Sequence, residues 1–260
     1  MEFVGYLALV ALGFILSAIG GGGSLLSMPI LVYLFSIDIV TASSYSLFIV
    51  GTSSLIGALQ KIREDGADLR AAFVFACSSA TTILITRRWI MPAIPEAWVL
   101  NEFLLTKRAF ILGIFSLIVI ASSLAILLGP VWASTGRGKR RLKVLLPVSL
   151  PAGLIAGLVG VGGGVIILPA LITFARLPFK IAVGTTLFVI SFNSMLGFFT
   201  DVTIGNVDWI FLLLITALAS VGMFVGNYYH DKIPVNWLRL SFGWLLMVIA
   251  IGIIARELVM

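Results

Sequence analysis

The residues best suited to bind a ligand are two clusters of glycine, each inside a long apolar stretch. Glycine leaves the backbone N–H groups uncovered and tolerates a positive φ, so the chain can turn sharply there. Amides at a helix start attract anions, which predicts an anion site near Ser24 and near Gly164. Close helix packing through small residues is the alternative. The candidate residues are Gly20, Gly21, Gly22, Gly23, Ser24, Gly160, Gly162, Gly163 and Gly164.

Polar stripes on the two apolar segments that follow supply further candidates. Polar residues recur there every seven positions, a spacing that places them on one helical face. Their hydroxyl and amide groups can donate hydrogen bonds to a solute, or they can join helices to one another. Asn193 is the costliest to bury and is therefore the first choice for a ligand contact. The stripes are Ser46, Ser53 and Gln60 in the first segment, and Thr186, Asn193 and Thr200 in the second.

The clusters and stripes belong to an internal repeat. A shift of 140 residues aligns the two regions without a gap, and 10 of the 38 positions from Gly20 to Gly57 are then identical. Gly20 aligns with Gly160, and Pro29 aligns with Pro169. Duplicated breaks in membrane-length segments are typical of secondary transporters, which bind solutes at interrupted helices near mid-membrane.

Composition predicts an all-α polytopic membrane protein. Only 11% of the 260 residues are charged, whereas soluble domains carry about 25%. We expect an N-terminal repeat (1–132), a basic cytoplasmic linker (133–143) and a C-terminal repeat (144–260). The net charge of +6 indicates cytoplasmic loops, in contact with membrane lipid, rather than nucleic-acid binding. The apolar runs are Phe3–Ile37, Ile39–Gln60, Leu69–Thr86, Ala109–Trp132, Val144–Ala175, Ile181–Thr200, Trp209–Tyr229 and Leu240–Ala255.

Segment length and charge together predict the topology. A 35-residue helix over Phe3–Ile37 would be roughly 52 Å long, too long for a core of about 30 Å. A hairpin at each glycine cluster solves this problem and places twelve Lys and Arg residues on one side against five on the other. Each half then crosses the membrane an odd number of times, which makes the repeat inverted and both termini extracytoplasmic.

Few other residues suggest chemistry. Asp38, Asp201, Asp208, Arg176 and Lys180 lie near predicted span ends and are interpreted as boundary residues, while Arg87 is counted in the polar connection Arg87–Arg108. Asp68 and Asp208 align across the shift and are candidate helix caps. The single histidine, His230, falls in a short loop, so the sequence leaves proton coupling open but offers no support for it. Cys77 is expected to be a small core residue, and no cofactor or metal is expected.

The run Gly-Val-Gly-Gly-Gly-Val-Ile-Ile-Leu-Pro at Gly160–Pro169, with its copy at Gly20–Pro29, resembles the TauE/SafE family of sulfite and sulfonate exporters. The sequence Ala182–Thr186 and the closing stretch Gly222–Arg239 are also similar to that family. This resemblance implies export of a small anion. The first copy departs from the second, with Ser43-Ser44-Tyr45-Ser46 in place of Val183-Gly184-Thr185-Thr186, a difference that bears on specificity.

Three functions remain open from the residues. A secondary transporter of a small anion, such as sulfite, thiosulfate, a sulfonate or a carboxylate, fits the duplicated breaks best. An anion channel would need a ring of charges or carbonyls, and the sequence indicates no charged ring. An intramembrane serine enzyme would need a base beside Ser24, but the only histidine is predicted far away. The sequence leaves a monomer and a homodimer equally open.

Overall fold

The computed structural model describes residues 2–19, 24–100, 103–128, 144–160, 163–202, 207–229 and 235–259. Several predictions fall on residues outside these ranges and stay predictions. They concern Gly20, Gly21, Gly22, Gly23, Gly162, the linker 133–143 and His230.

Apolar helices account for most of the described chain. The first half contains α1 (Glu2–Ile19), α2 (Ser24–Pro29), α3 (Ile39–Arg63), α4 (Leu69–Ile85), α5 (Met91–Ala93) and α6 (Lys107–Leu128). The second half contains α7 (Leu145–Val159), α8 (Gly164–Thr173), α9 (Phe179–Val202), α10 (Trp209–Tyr229) and α11 (Val235–Val259). Two π-helical segments, π1 (Ile30–Leu34) and π2 (Thr86–Ile90), continue α2 and join α4 to α5.

Five helical segments among the described residues are long and apolar enough to cross a membrane. They are α3, the continuous helix Leu69–Ala93, Lys107–Leu124 of α6, Phe179–Asp201 of α9, and Trp209–Tyr228 of α10. Shorter apolar helices include Val4–Ser17, Ser24–Leu34 and Leu145–Val159, which correspond to arms of the predicted hairpins. The expectation of a multi-pass membrane protein is therefore confirmed.

Aspartates begin three of these helices, as the sequence predicted for Asp68 and Asp208 but not for Asp38. Asp68 Oδ1 accepts hydrogen bonds from the backbone N–H groups of Arg70 (3.1 Å) and Ala71 (3.2 Å). Asp208 Oδ1 accepts one from Phe211 at 3.1 Å, and Asp38 Oδ2 accepts one from Val40 at 3.0 Å. These bonds satisfy amides that have no partner within the first helical turn.

The helices of the two halves pack against one another in matched pairs. α1 packs on α10, and α7 packs on α4. α3 packs on both α9 and α10, and α9 packs on α4. When 140 is added to the residue numbers, α1 corresponds to α7, α3 to α9 and α4 to α10. The α1–α10 contact then corresponds to the α7–α4 contact, and the α3–α10 contact to the α9–α4 contact. The α3–α9 contact corresponds to itself. The two halves thus form one interleaved bundle.

Two glycines show the same correspondence between the halves at the level of single atoms. A methyl group on Gly13 would overlap the carbonyl oxygen of Ala219, where α1 meets α10. A methyl group on Gly153 would overlap the carbonyl oxygen of Ser79, where α7 meets α4. Gly153 and Ala219 are the residues 140 positions after Gly13 and Ser79, respectively. Both contacts therefore need glycine for the same close approach of two helix backbones.

Helices α3 and α9 form the centre of the bundle. About 61% and 72% of their most apolar stretches are buried, compared with 39–44% for the other three long spans. The residues at the α3–α9 contact therefore lie deepest within the protein.

Three expectations need correction. The connection Arg87–Arg108 is not simply polar, because the helix continues to Ala93 and a two-stranded antiparallel hairpin, β1 (Ala97–Leu100) and β2 (Phe103–Thr106), follows. Arg87 lies within the helical span, where Asp201 neutralises its charge. Cys77 is exposed rather than part of the core, because its side of α4, like that of Phe73, faces away from the bundle.

Candidate functional site

Buried polar groups that lack partners lie on α3 and α9, the two helices at the centre of the bundle. Ser53 and Ser54 on α3 are fully buried, as are Ser194 and, within 1%, Asn193 on α9. Among the described residues, the Oγ atoms of all three serines and the Oδ1 atom of Asn193 have no hydrogen-bond partner. Buried polar groups are normally hydrogen-bonded, so a cluster of unpaired ones calls for an explanation.

These four residues are two repeat-related pairs. Ser53 corresponds to Asn193, and Ser54 corresponds to Ser194. The helices meet closely there, since a methyl group on Gly51 would lie 3.2 Å from Ser194 Cβ. Unpaired polar atoms thus occur at matching positions of both copies. We call this group of four residues the central seam.

Asn193 connects the central seam to α4. Its Nδ2 atom donates a hydrogen bond to Ser79 Oγ at 2.7 Å, and Ser79 Oγ donates to the Phe75 carbonyl at 2.7 Å. Ser53 has no corresponding bond because the residue equivalent to Ser79 in the other half is Ala219. The central seam therefore differs between its two copies in polarity.

Two other residues that were candidates for solute binding, Ser46 and Thr186, use their hydroxyl groups in hydrogen bonds within the protein. The Ser46 hydroxyl pairs with that of Ser27 at 2.5 Å, and Ser27 Oγ also donates to the Ser24 carbonyl at 2.7 Å. Ser46 thus ties α3 to the start of the predicted second arm. Thr186 Oγ1 donates to the Ala182 carbonyl of its own helix at 2.7 Å. Among the predicted stripe residues that the structure describes, Ser53, Gln60 and Asn193 retain an unpaired side-chain oxygen.

The chain leaves the helical conformation at the second glycine cluster. Helix α7 ends at Val159, Gly160 has φ +73° and Gly163 has φ +74°, and α8 begins at Gly164. The Gly160 N–H donates to the Ala156 carbonyl at 2.9 Å and so closes α7. No side chain caps the start of α8, and its first turn holds no acidic residue.

A buried cation lies directly against this turn. The guanidinium of Arg87, a side chain only 1% exposed, donates from Nη1 to Asp201 Oδ2 at 2.6 Å and from Nη2 to Ser43 Oγ at 2.7 Å. The Ser44 hydroxyl donates to the same Asp201 oxygen. A methyl group on Gly160 would overlap Ser43 Oγ and come within 2.8 Å of Arg87 Nη2. Four elements, α3, π2, α9 and the glycine turn, thus meet at one charge.

Sequence reasoning missed this ion pair. Arg87 was placed in a loop and Asp201 at a boundary, because each lies near a span end. A usable signal was present in the repeat comparison: Ser43 and Ser44 are replaced by Val183 and Gly184 in the other half. Those two serines are the residues that hold Arg87 and Asp201. Of the predicted site residues that the structure describes, Ser53 and Asn193 lie in the central seam and Gly160, Gly163 and Gly164 lie at the glycine turn, whereas Ser24, Ser46 and Thr186 belong to neither place.

Comparison with known proteins identifies the family of the chain. The model of the family described as "Sulfite exporter TauE/SafE" matches residues 6–253, which confirms the resemblance read from the glycine runs. The protein "Probable membrane transporter protein YunE" of Bacillus subtilis (strain 168) is 28% identical over 95 residues. That match spans 36% of this chain and 35% of the relative's length. No solved structure matches the chain.

Proposed function

Since this chain belongs to the sulfite exporter TauE/SafE family, we propose that it is a secondary transporter that exports a small anion such as sulfite, thiosulfate or a sulfonate. The solute would bind at the central seam and at the glycine turns, and the two halves would alternate in opening to each side of the membrane. No cofactor or covalent step is part of this function.

The unpaired polar atoms of the central seam carry the proposal. A buried hydroxyl or amide without a partner costs about 1–3 kcal/mol. Unpaired buried oxygens at matching positions of the two copies, Ser53 with Asn193 and Ser54 with Ser194, are unusual in a folded protein. The three serine hydroxyls and the second N–H of Asn193 Nδ2 can donate to a bound anion, whereas Asn193 Oδ1 is an acceptor that an anion does not satisfy. Because these donors carry no charge, they would allow the anion to be released.

The arrangement of the halves supports alternating access. Contacts that exchange under the 140-residue shift are expected of two copies related by a two-fold axis. We propose that this axis lies in the membrane plane, which makes the repeat inverted, and that both termini are extracytoplasmic in the cell membrane. The twelve-to-five distribution of Lys and Arg favours this orientation. Since the central seam is buried, this conformation is closed at that depth.

The direction of transport follows from the charge of the solute. An inside-negative potential contributes about 2.3 kcal/mol per elementary charge per 100 mV. It drives anions outward, so export requires no coupled ion, whereas accumulation inside the cell would require one.

A binding assay on the purified protein tests this function. Sulfite, thiosulfate, methanesulfonate and acetate are screened by calorimetry, and at least one should bind. Asn193→Ala should weaken that binding by roughly 10- to 100-fold, the range for a hydrogen bond to a charged group. Ser116→Ala is the matched control, because Ser116 is equally buried but donates within α6, away from the central seam. Equal affinities of both variants would argue against the central seam as the site.

Transport in proteoliposomes separates a carrier from a pore. A transporter should show saturable uptake and accelerated exchange when the same anion is present on the opposite side. Flux that rises linearly with concentration and shows no exchange would indicate an anion channel instead.

A further inference from the structure

The ion pair of the buried Arg87 and the partly exposed Asp201 has no role in the function as proposed so far. A salt bridge inside a protein contributes little net stability, because desolvating two charges offsets their attraction. Ionisable side chains are rare within membrane spans, and those present usually mark a solute or ion pathway. Arg87 belongs to the span Leu69–Ala93 and is almost completely buried. Stability of the fold is therefore a poor reason for its presence.

The guanidinium of Arg87 has hydrogen-bond donors that are not used by Asp201 and Ser43. Its Nη1 and Nη2 atoms bind Asp201 and Ser43, while its Nε atom is buried without a partner among the described residues. A guanidinium presents its N–H groups as a planar fork that matches two oxygens of one oxyanion. Asp201 uses one oxygen, Oδ2, for both Arg87 and Ser44. The present pairing thus leaves part of the fork unused.

Exposure decreases from Asp201 to Arg87. The Asp201 side chain is 17% exposed, whereas that of Arg87 is 1% exposed. Their serine partners follow the same order, since Ser44 is partly exposed and Ser43 is fully buried. A solute that enters from this end of the bundle therefore reaches the carboxylate before the guanidinium.

We propose that Arg87 is the cation of the solute site, and that the Asp201 carboxylate occupies the position a transported oxyanion takes. Asp201 keeps Arg87 neutralised when no solute is bound, and the solute displaces it. Ser43 and Ser44 supply neutral hydroxyls to either anion. The solute class is a small oxyanion with two or more oxygens on one centre, as in a sulfonate, sulfite or a carboxylate. This inference rests on the proposed transport of anions.

The ion pair and the central seam lie along one line through the bundle. Arg87 follows Ser79 by eight residues on the same helical span, and Asp201 follows Asn193 by eight residues on α9. At 1.5 Å per residue both separations are roughly 12 Å. Ser79 and Asn193 are hydrogen-bonded to each other, so the two helices hold both sites at the same spacing. An anion released from Arg87 would meet the Asn193 amide next.

Opposite effects of the two charges test this inference. Asp201→Asn removes the competing carboxylate, so anion affinity should rise about tenfold, and the anion should raise the melting temperature by more than in the unaltered protein. Arg87→Gln should lower affinity by at least about tenfold. Arg88→Gln is the matched control, since Arg88 carries the same charge one residue later but is exposed. Its affinity should stay within about twofold of the unaltered protein.

The possible outcomes distinguish a failure of this inference from a failure of the proposed transport function. If sulfite, methanesulfonate and acetate all fail to bind the unaltered protein, both are overturned. If an anion binds but Arg87→Gln leaves its affinity unchanged, or if Asp201→Asn weakens it as Arg87→Gln does, the pair is structural and only this inference falls. Should Arg87→Gln not fold, the double variant Arg87→Gln/Asp201→Asn replaces it, because it removes both charges together. The double variant should fold but should not bind the anion. If the double variant does not fold either, the affinity of Asp201→Asn alone decides.

Discussion

Replacement of Gly160 by alanine tests whether the helix break and the Arg87 site depend on each other. Gly160 has φ +73°, and this left-handed conformation costs about 1–2 kcal/mol for a residue with a Cβ. The new methyl group would also overlap Ser43 Oγ and lie 2.8 Å from Arg87 Nη2. Overpacking of this kind costs about 1–3 kcal/mol. We therefore expect Gly160→Ala to destabilise the protein by about 2–5 kcal/mol.

Thermal unfolding in detergent measures this loss, with Gly113→Ala as the control. Gly113 lies within α6, and among the described residues no other part of the protein comes within 4 Å of an added Cβ, so alanine should be neutral or stabilising by up to about 1 kcal/mol. One kcal/mol corresponds to roughly 2–4 °C in a chain of this size, so Gly160→Ala should lower the Tm by at least about 4 °C. Equal Tm values for the two variants would refute both the strained turn and its contact with Ser43.

Three further predictions concern the fold. Gly13→Ala and Gly153→Ala should each lower the Tm, and by similar amounts, because both methyl groups overlap a backbone carbonyl of the opposite half; a large difference between them would contradict the matched packing. Asp68→Ala should cost about 1 kcal/mol by removing the cap of α4, measured by the same thermal assay, and no change would show that the cap is dispensable. Cys77, exposed midway along the span, should react in intact membranes with an apolar maleimide but not with a charged one, and labelling by the charged reagent would place it in water.

Much of the fold could be predicted from the sequence because it depends on local and periodic signals. Long apolar runs gave the membrane class, and aspartates before Arg70 and Phe211 marked helix starts. The glycine run at Gly160 indicated where α7 must end. Each signal reports a constraint that acts within a few residues of chain, such as a missing side chain or an unpaired amide.

The ion pair could not be predicted in the same way. Arg87 and Asp201 are separated by 114 residues, and nothing near either residue indicates the other. Both lie in the last turns of apolar segments, where charged residues normally meet water or headgroups. Only the packing of this helical span on α9 brings them together and removes Arg87 from water. The same packing, rather than any local pattern, leaves the oxygens of Ser53 and Asn193 unpaired.

The residues of the two halves differ at the charged site, but they are the same where helix backbones come into close contact. Gly13 and Gly153 occupy equivalent positions because both helix pairs need the same close approach. At the charged site the equivalents of Ser43, Arg87 and Asp201 are Val183, Asn227 and Lys61, so the second half cannot build the same ion pair. Comparison of the copies therefore separates two kinds of constraint. Agreement between them identifies packing that the duplicated fold requires twice, and disagreement at a buried polar position identifies a group that only one end of the bundle uses.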